Sequence, residues 1–460
     1  MEKIPAQAAV VTVAKRDITR DTKIAHLGLC EDSSNYARRT ALYITHIDIK
    51  MRKWNALLFG AVIFIFFVSF KILQPDIEGN FDEALDFKPA KSPSSERQKL
   101  LQILEDKYML KSEYCQAGQD PWRIAADWVS DREVHPEYTP EMGCVLHSLK
   151  SAKIVTVDVG FKGSQLKLSL ELEGGQKVAF KPKWFERNHI QNDIVAGWDR
   201  HNGEIASFHI GRLLEFRRTP LAVGRKINLK TEVIPVATEN LLKTFFNKDG
   251  NQCLFGSCRY CKENTTSLCA AGDVLEGVVI LWLPSRYELT RYVNPWIRSY
   301  KSKTIKRWEY DMSYCSDVVK LDLYKSGPRL MDLIDATILD YLVGNADRHH
   351  YETLGEANDS MILLIDNGKS FGNPYEDETT ILAPLYQCCK IRDVTWQNLL
   401  LLQNGVLSQT LSRVLSQDSI APVLYEQYYT AIDRRLNHII YEVQKCILAK
   451  SFKEVLVTDR

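Results

Sequence analysis

The sequence predicts an α+β, bilobal chain: a small sheet-rich lobe followed by a larger helical one, disulfide-bonded and held behind a single transmembrane anchor. Three observations predict it. Short alternating apolar runs are confined to residues 152–281, helical periodicity dominates 282–460, and one long apolar run lies near the N-terminus. The chain has 460 residues, 45% of them hydrophobic, which is enough for a substantial core. Its formal net charge of +1 gives no electrostatic reason to expect a nucleic-acid partner.

Taken in order, residues 1–53 read as a cytosolic tail, and Met51 could itself open the chain, which makes 1–50 an extension. Trp54 to Phe70 is an uncharged run that Ile72 and Leu73 prolong past Lys71. A span of ~20 apolar residues crosses a hydrocarbon core, whereas a buried core helix rarely needs an apolar surface all round. Lys50, Arg52 and Lys53 precede the run, while Asp76, Glu78, Asp82, Glu83 and Asp86 follow it. The positive-inside rule then leaves the N-terminus cytosolic and the remainder luminal. No small-residue cleavage pattern follows, so 54–73 reads as an uncleaved signal anchor. Residues 74–99, ending "KPAKSPSSER", are polar and aperiodic: a stem linker.

Residues 100–151 form an N-terminal helical segment, with "QKLLQILEDKYML" and "PWRIAADWV" at helical spacing. Three antiparallel strands are expected in "KIVTVDVGF", "QLKLSLELE" and "QKVAFKPK", then a helix in "RHNGEIASFHIGRLL". "VLEGVVILWLP" reads as an apolar strand closed by Pro284, and "PRLMDLIDATILDYLVG" as a long helix. "SMILLIDNGKSFG" reads as a strand ending in an acid and a glycine turn, with helices beyond residue 394.

Ten cysteines lie beyond the anchor, and an even number in an oxidising compartment reads as disulfides. Cys253, Cys258, Cys261 and Cys269, spaced by 4, 2 and 7 residues, leave zinc as the alternative, although no second CxxC or His pair follows at finger spacing. Asn264 and Asn358 begin glycosylation sequons.

The chemistry is suggested by order along the chain. "GNADRHHYET", residues 344–353, places five ionisable groups in six positions, which alone fits a charged loop or a His pair on a metal. Ahead of it, the strand "VAFK" presents Lys181, and a helix presents Glu204 23 residues later. The loop after the long helix presents Asp347, and Asp366 follows after 19 more. Phosphoryl transfer from a nucleotide needs such parts: a lysine for the phosphates, a helix carboxylate to hold that lysine or a metal, an acid facing the incoming hydroxyl, and an acid for a divalent cation. Singly, Lys181 and Glu204 read as surface residues. Together, in this order, they predict a protein-kinase-like fold, although the usual glycine-rich loop is incomplete and "DNG" stands where Asp-Phe-Gly is usual.

"GWDRHNGEIASFH", "NPWIRSY", "RWEYDMSYC", "GNADRHHYET", "LIDNGKSFGNP" and "ILAPLYQCC" resemble the secretory-pathway kinase family that includes the secreted casein kinase, from about Pro121 to about Asp459. The resemblance implies that Lys181 contacts nucleotide phosphates, that Glu204 and Asp366 sit at the metal, and that Asp347 is the catalytic acid. It implies further that Gln165 reaches the nucleotide from the second strand, that Glu352 completes the nucleotide–metal site, and that Trp282, Leu283, Pro284 and Ser285 form the hinge beside adenine. ATP and Mn²⁺ are the implied cofactors, with Mg²⁺ as the alternative, as suits oxygen ligands. Arg348, His349 and His350 are expected to brace the loop. The implied disulfides are Cys253–Cys269, Cys258–Cys261, Cys315–Cys388 and Cys389–Cys446. Cys115 and Cys144 then remain and are expected to pair.

Within that family, "DNGKSFGNP" and "ILAPLYQCC" resemble the branch that phosphorylates the 2-hydroxyl of xylose in the glycosaminoglycan–protein linkage region, promoting proteoglycan chain synthesis. This implies a Golgi membrane protein, single-pass type II, with a luminal catalytic domain and an association with linkage-region glycosyltransferases. A sugar acceptor calls for an aromatic platform, for which Arg307, Trp308 and Tyr310 are candidates, although Trp308 reads equally as core. A secretory protein serine kinase and a pseudokinase that activates a partner are the alternatives. A glycosyltransferase is disfavoured because no Asp-x-Asp occurs.

Overall fold

Helix α1 (Ser95–Tyr108) opens the part of the chain that the computed structural model describes, residues 95–458 apart from 111–114, 161–162, 262–265 and 301–303. The tail 1–53 and the anchor 54–73 lie outside the described residues, as does most of the stem. Among the described residues no helix is long and apolar enough to cross a membrane.

α1 turns Leu101, Leu104 and Tyr108 inward. α2 (Pro121–Trp128) begins where the Asp120 carboxylate accepts the Trp122 N–H at 2.9 Å, and Pro121 occupies a position that needs no donor. α3 (Met142–Ser151) leads into the meander β1 (Ile154–Val159), β2 (Leu168–Leu172) and β3 (Gln176–Pro182). Helix α4 (His201–Leu213) follows, and β4 (Ala222–Asn228) returns to the sheet. A three-stranded antiparallel ribbon, β5 (Phe245–Lys248), β6 (Asn251–Phe255) and β7 (Ser267–Cys269), carries the cysteine cluster. β8 (Val274–Leu281) then completes an antiparallel five-stranded sheet of order β1-β2-β3-β8-β4.

The strand period of two places Leu168, Leu170 and Leu172 on the core face opposite Val178 and Phe180. α4 departs from the amphipathic stripe that its sequence suggests, because every one of its residues is buried, His201, Asn202, Glu204, His209 and Arg212 included. It lies between the sheet and the helices of the second lobe, so its polar face meets protein rather than water.

Beyond β8 the chain forms β9 (Leu289–Val293), the fully buried α5 (Arg329–Val343), β10 (His350–Leu354), α6 (Ala383–Cys388), β11 (Ile391–Arg392), α7 (Asp393–Leu401), α8 (Val406–Leu415), α9 (Gln427–Ala449) and β12 (Leu456–Val457). β10 pairs antiparallel with β9, setting Glu352 opposite Arg291. α5 ends at Gly344, whose φ of +73° closes the helix in the left-handed region where a side chain would be strained. The strand expected in 360–366 does not form. Met361, Ile362, Leu363 and Leu364 are buried on both sides, and their backbone pairs individually, Leu363 N–H with the Glu352 carbonyl and Leu364 N–H with that of Arg218. The short parallel pair β11–β12 was not expected.

Buried ion pairs fasten α5. Asp332 meets Arg392 at 2.7 Å, Arg132 at 2.8 Å and Arg218 at 3.0 Å, while Arg218 also reaches Asp335 at 2.7 Å. Burial opposes the Asp332 charge, yet the three guanidiniums hold its carboxyl at about 2.

Five disulfides are present: Cys115–Cys144, Cys253–Cys269, Cys258–Cys261, Cys315–Cys388 and Cys389–Cys446. The zinc alternative falls with them, since all four sulfurs of the cluster are bonded in pairs. The Cys389–Cys446 bond spans 57 residues, so Cys389→Ser with Cys446→Ser should cost up to about 4 kcal/mol. Denaturant unfolding of the non-reduced proteins checks this, and equal midpoints would contradict it.

Candidate active site

Lys181 owes its position to the pleat of β3. Val178 and Phe180 face the core, so Ala179 and Lys181 face the opposite side and line a cleft of about 2290 Å³. The Lys181 ammonium lies 2.7 Å from Glu204 Oε1, 2.9 Å from Asp366 Oδ1 and 3.3 Å from Asp199 Oδ2. Burial works against the charge, and the three carboxylates overcome it, keeping the group well above the usual lysine range. Lys181 in turn holds Asp366 below the usual carboxylate range.

Glu204 stands in the first turn of α4 and is 5% exposed at its side chain. Asn367 donates to it twice, from its backbone N–H at 3.1 Å and its amide at 3.2 Å. This loop approaches α4 so closely that a Cβ on Gly203 would lie 2.7 Å from the Asn367 carbonyl oxygen. Asp366, with φ of +62° and a side chain 77% exposed, is by contrast directed to the open cleft.

Asp347 follows α5 in the loop that Gly344 begins. Its backbone N–H donates to Asn345 Oδ1 at 3.1 Å, and its carboxylate accepts the Tyr300 hydroxyl. His349 Nδ1 lies 3.3 Å from the same carboxylate, which raises the imidazole pKa. Arg348 grips Asp340 at 2.5 and 2.7 Å and also donates to the Ile365 carbonyl and Asn367 Oδ1. Arg348 therefore ties the loop bearing Asp347 to the one bearing Asp366. Tyr300 and His349 brace Asp347 itself, while His350 Nδ1 has no hydrogen-bond partner.

The cleft also collects Gln165, Trp282, Leu283, Pro284, Ser285 and Glu352. Gln165 precedes β2 instead of lying in it, because the strand begins only at Leu168. Its Oε1 accepts the Asp199 N–H at 3.4 Å. Trp282 to Ser285 leave the end of β8 between the lobes. Burial raises the Glu352 carboxyl above its ordinary value, and Arg291 approaches it at 3.6 Å.

Three of the expected residues are not brought here. Trp308 is 3% exposed, donates to the Ile297 carbonyl at 3.0 Å and belongs to the core, so it cannot offer a face to a ligand. Arg307 is engaged by Asp311 and Asp317, each at 2.8 Å, and Tyr310 is exposed outside the cleft lining. Conversely, the sequence reading missed Asp199, Lys167, Lys369 and Tyr300, all of which line the cleft. Lys369 bonds the Gly197 carbonyl and stands 3.5 Å from Asp199. Burial and the nearby Lys181 lower the Lys167 pKa. Asp199, Tyr300 and Lys369 lie within "GWDRHNGEIASFH", "NPWIRSY" and "LIDNGKSFGNP" without being singled out there, and only Lys167 lies in no such stretch. Only the turns that fold them inward bring them together.

Among the described residues no three His, Cys, Asp or Glu side chains form a ready-made metal cage. The donors nonetheless suit a hard divalent cation that takes one or two carboxylates and completes its shell with phosphate oxygens and water. Glu204 is buried and fixed, and Asp366 is open to the cleft, so both fit that description.

Two lobes, a hinge, a lysine clasped by a helix carboxylate and two further acids across one cleft define a kinase. The family model described as Golgi casein kinase, C-terminal, Fam20 matches residues 120–455, and the chain belongs to that family. Human glycosaminoglycan xylosylkinase is 52% identical over 344 residues, 74% of this chain and 84% of the relative. A structure of hydra Fam20 with sugar is 43% identical and superposes with a TM-score of 0.72, covering 75% of this chain and 99% of that one. The Golgi casein kinase with Mn/ADP bound is 30% identical at a TM-score of 0.72, covering 81% of this chain and 94% of the other.

Gly203→Ala should press α4 away from Asn367 and weaken the Glu204–Lys181 pair. The expected outcome is a folded protein destabilised by ~1–3 kcal/mol, with a reduced thermal shift on adding ADP and Mn²⁺. An unchanged shift would show that this close approach does not position Glu204.

Proposed function

We propose that this chain is an ATP-dependent kinase that transfers phosphate to the 2-hydroxyl of xylose in the glycosaminoglycan–protein linkage region, promoting proteoglycan chain synthesis. The observation that carries the reading is the clasp of Lys181 by Glu204 and Asp366 across a cleft from Asp347, in a chain 52% identical to a glycosaminoglycan xylosylkinase.

In this reading Lys181 and Lys167 hold the nucleotide phosphates, and Gln165 and Glu352 bound the nucleotide on either side. Trp282, Leu283, Pro284 and Ser285 border adenine. Glu204 and Asp366 hold Mn²⁺ or Mg²⁺, which neutralises phosphate charge when bound. Asp347 accepts the proton of the acceptor hydroxyl as its oxygen bonds to the γ-phosphorus, and ADP departs. Tyr300 donates to one Asp347 oxygen and fixes the rotation of the carboxylate, so that the other can face the acceptor. Arg348 keeps Asp347 in register with Asp366.

The same reading places the chain in the Golgi membrane, single-pass type II, with 54–73 as signal anchor, a stem from 74 that ends where α1 begins at Ser95 instead of at 99, and the rest in the lumen, where linkage-region glycosyltransferases are its neighbours. The helical segment 100–151 precedes an N-lobe at 152–281 and a C-lobe at 282–460. It is supported by the basic flank before the apolar run, the acidic flank after it, and five disulfides beyond it. Asn358 stands in an exposed turn, as a glycan acceptor must, while Asn264 lies outside the described residues.

Two outcomes test the chemistry. Asp347→Ala should lose roughly 10²–10⁴-fold in turnover while keeping the nucleotide-induced thermal shift. Asp366→Ala should lose the manganese-dependent part of that shift. Normal turnover by Asp347→Ala would remove that residue from the reaction. The acceptor is tested by transfer of labelled phosphate to a xylose-containing linkage oligosaccharide against a Ser-x-Glu peptide at equal concentration. Much faster transfer to the oligosaccharide is expected, and peptide turnover as fast or faster would make the chain a protein kinase.

A further inference from the structure

The aromatic platform sought in the Trp308 segment has a counterpart elsewhere on the cleft. Tyr260 and Tyr300 both line it, and both are large aromatic residues left 57% and 56% exposed. Tyr260 comes from the first lobe, and Tyr300 lies between the hinge and Asp347. Tyr300 marks the reacting end of the cleft, because its hydroxyl donates to Asp347 and contacts His349 Nδ1 at 2.9 Å, and Tyr260 is near enough to Tyr300 to act on its phenol electrostatically. Adenine belongs at the other end, beside Trp282 to Ser285.

Tyr260 is held by a specific local device. It sits inside the ring closed by Cys258–Cys261, a disulfide with only two residues between its cysteines. That ring is seated on the turn between β1 and β2, since Arg259 N–H donates to the Gly163 carbonyl at 2.9 Å and Cys261 N–H to that of Cys258 at 3.1 Å. The Arg259 guanidinium lies 5.7 Å from the Tyr260 ring centroid and covers one side of it. A short covalent ring thus presents an exposed phenol whose backbone has little freedom left to lose on binding.

We propose that Tyr260 and Tyr300 form the acceptor-binding subsite and that the ligand they take is a pyranose of the linkage glycan. The inference rests on the functional reading above and adds the groups that recognise its acceptor. A pyranose presents an apolar C–H face to an aromatic ring and hydroxyls at its rim, which two half-exposed phenols on opposite lobes can meet together. Of the cations lining the cleft, Lys181 and Lys369 are matched with carboxylates and Arg291 stands 3.6 Å from Glu352, while the Arg259 guanidinium lies over the Tyr260 ring and Lys167 stands near Lys181. Tyr300 holds one Asp347 oxygen, so the sugar hydroxyl approaches the other, and the seat of the pyranose lies between that oxygen and Tyr260.

The test uses the complete luminal part of the chain, ATP with Mn²⁺, and a synthetic xyloside that carries the next linkage galactose. Tyr260→Ala should raise the KM for the xyloside roughly three- to ten-fold, the effect of one lost aromatic contact, and leave the KM for ATP unchanged. Tyr260→Phe should retain most of the affinity, and Cys258→Ser with Cys261→Ser should act in the direction of Tyr260→Ala. Tyr300→Phe keeps the ring and should lower kcat more than it raises the xyloside KM. An unchanged xyloside KM in Tyr260→Ala, or an equal rise in the KM for ATP, overturns the subsite while leaving the kinase reading in place. A wild-type enzyme that leaves the xyloside unphosphorylated overturns both.

Discussion

One ammonium group organises this active site. Lys181 Nζ is shared by Glu204 from a helix, Asp366 from a loop of the second lobe and Asp199 from the segment between. Each carboxylate would repel the others if Lys181 were absent, and Lys181 would be a buried unpaired charge without them. The two lobes therefore meet through a cluster that is stable only when complete. It also carries more negative charge than the one lysine balances, which Lys167 and Lys369 temper from the cleft wall. Such a cluster is suited to admitting a cation and a polyanion together.

The supports behind it are rigid in two different ways. Around α5, arginines and aspartates are paired away from solvent, and breaking one pair would leave its partner buried and charged. Around the nucleotide end, backbone proximity does the work. The Asn367 carbonyl against Gly203 and the Arg348 guanidinium across Asp340, Ile365 and Asn367 leave the Asp347 and Asp366 loops little independent movement.

Much of this was legible in the residues. The meander was readable because β2 and β3 alternate cleanly, even though the register of β1 shifts between Ile154 and Thr156, and α5 because its apolar residues recur at helical spacing and end in glycine. Lys181, Glu204, Asp347 and Asp366 were readable because each sits at a set place on an element and their order follows one chemistry. Asp199, Lys167, Lys369 and Tyr300 were not, since each lies in a turn or loop whose path depends on distant packing. Trp308 misled for a related reason. An aromatic residue beside basic ones looks like a binding surface, yet its indole N–H finds the Ile297 carbonyl and its ring is buried. The segment 360–366 misled in the opposite sense, because a run buried on all sides has the composition of a strand without needing a strand's partners.

Cys388 and Cys389 are neighbours in sequence, yet one is bonded to Cys315 and the other to Cys446. The separation depends on α6 ending where Cys389 turns left-handed at φ of +50°, which sends the two sulfurs to different helices. During oxidation the incorrect partner is always only one residue away, and the crossed arrangement closes loops of nearly the same length. Chain entropy therefore hardly favours the native arrangement, and the choice falls to the packing of α6 and α9. The pairing of two adjacent cysteines is thus decided by tertiary packing, so a substitution that loosens α6 from α9 would reach the covalent connectivity as well as the fold.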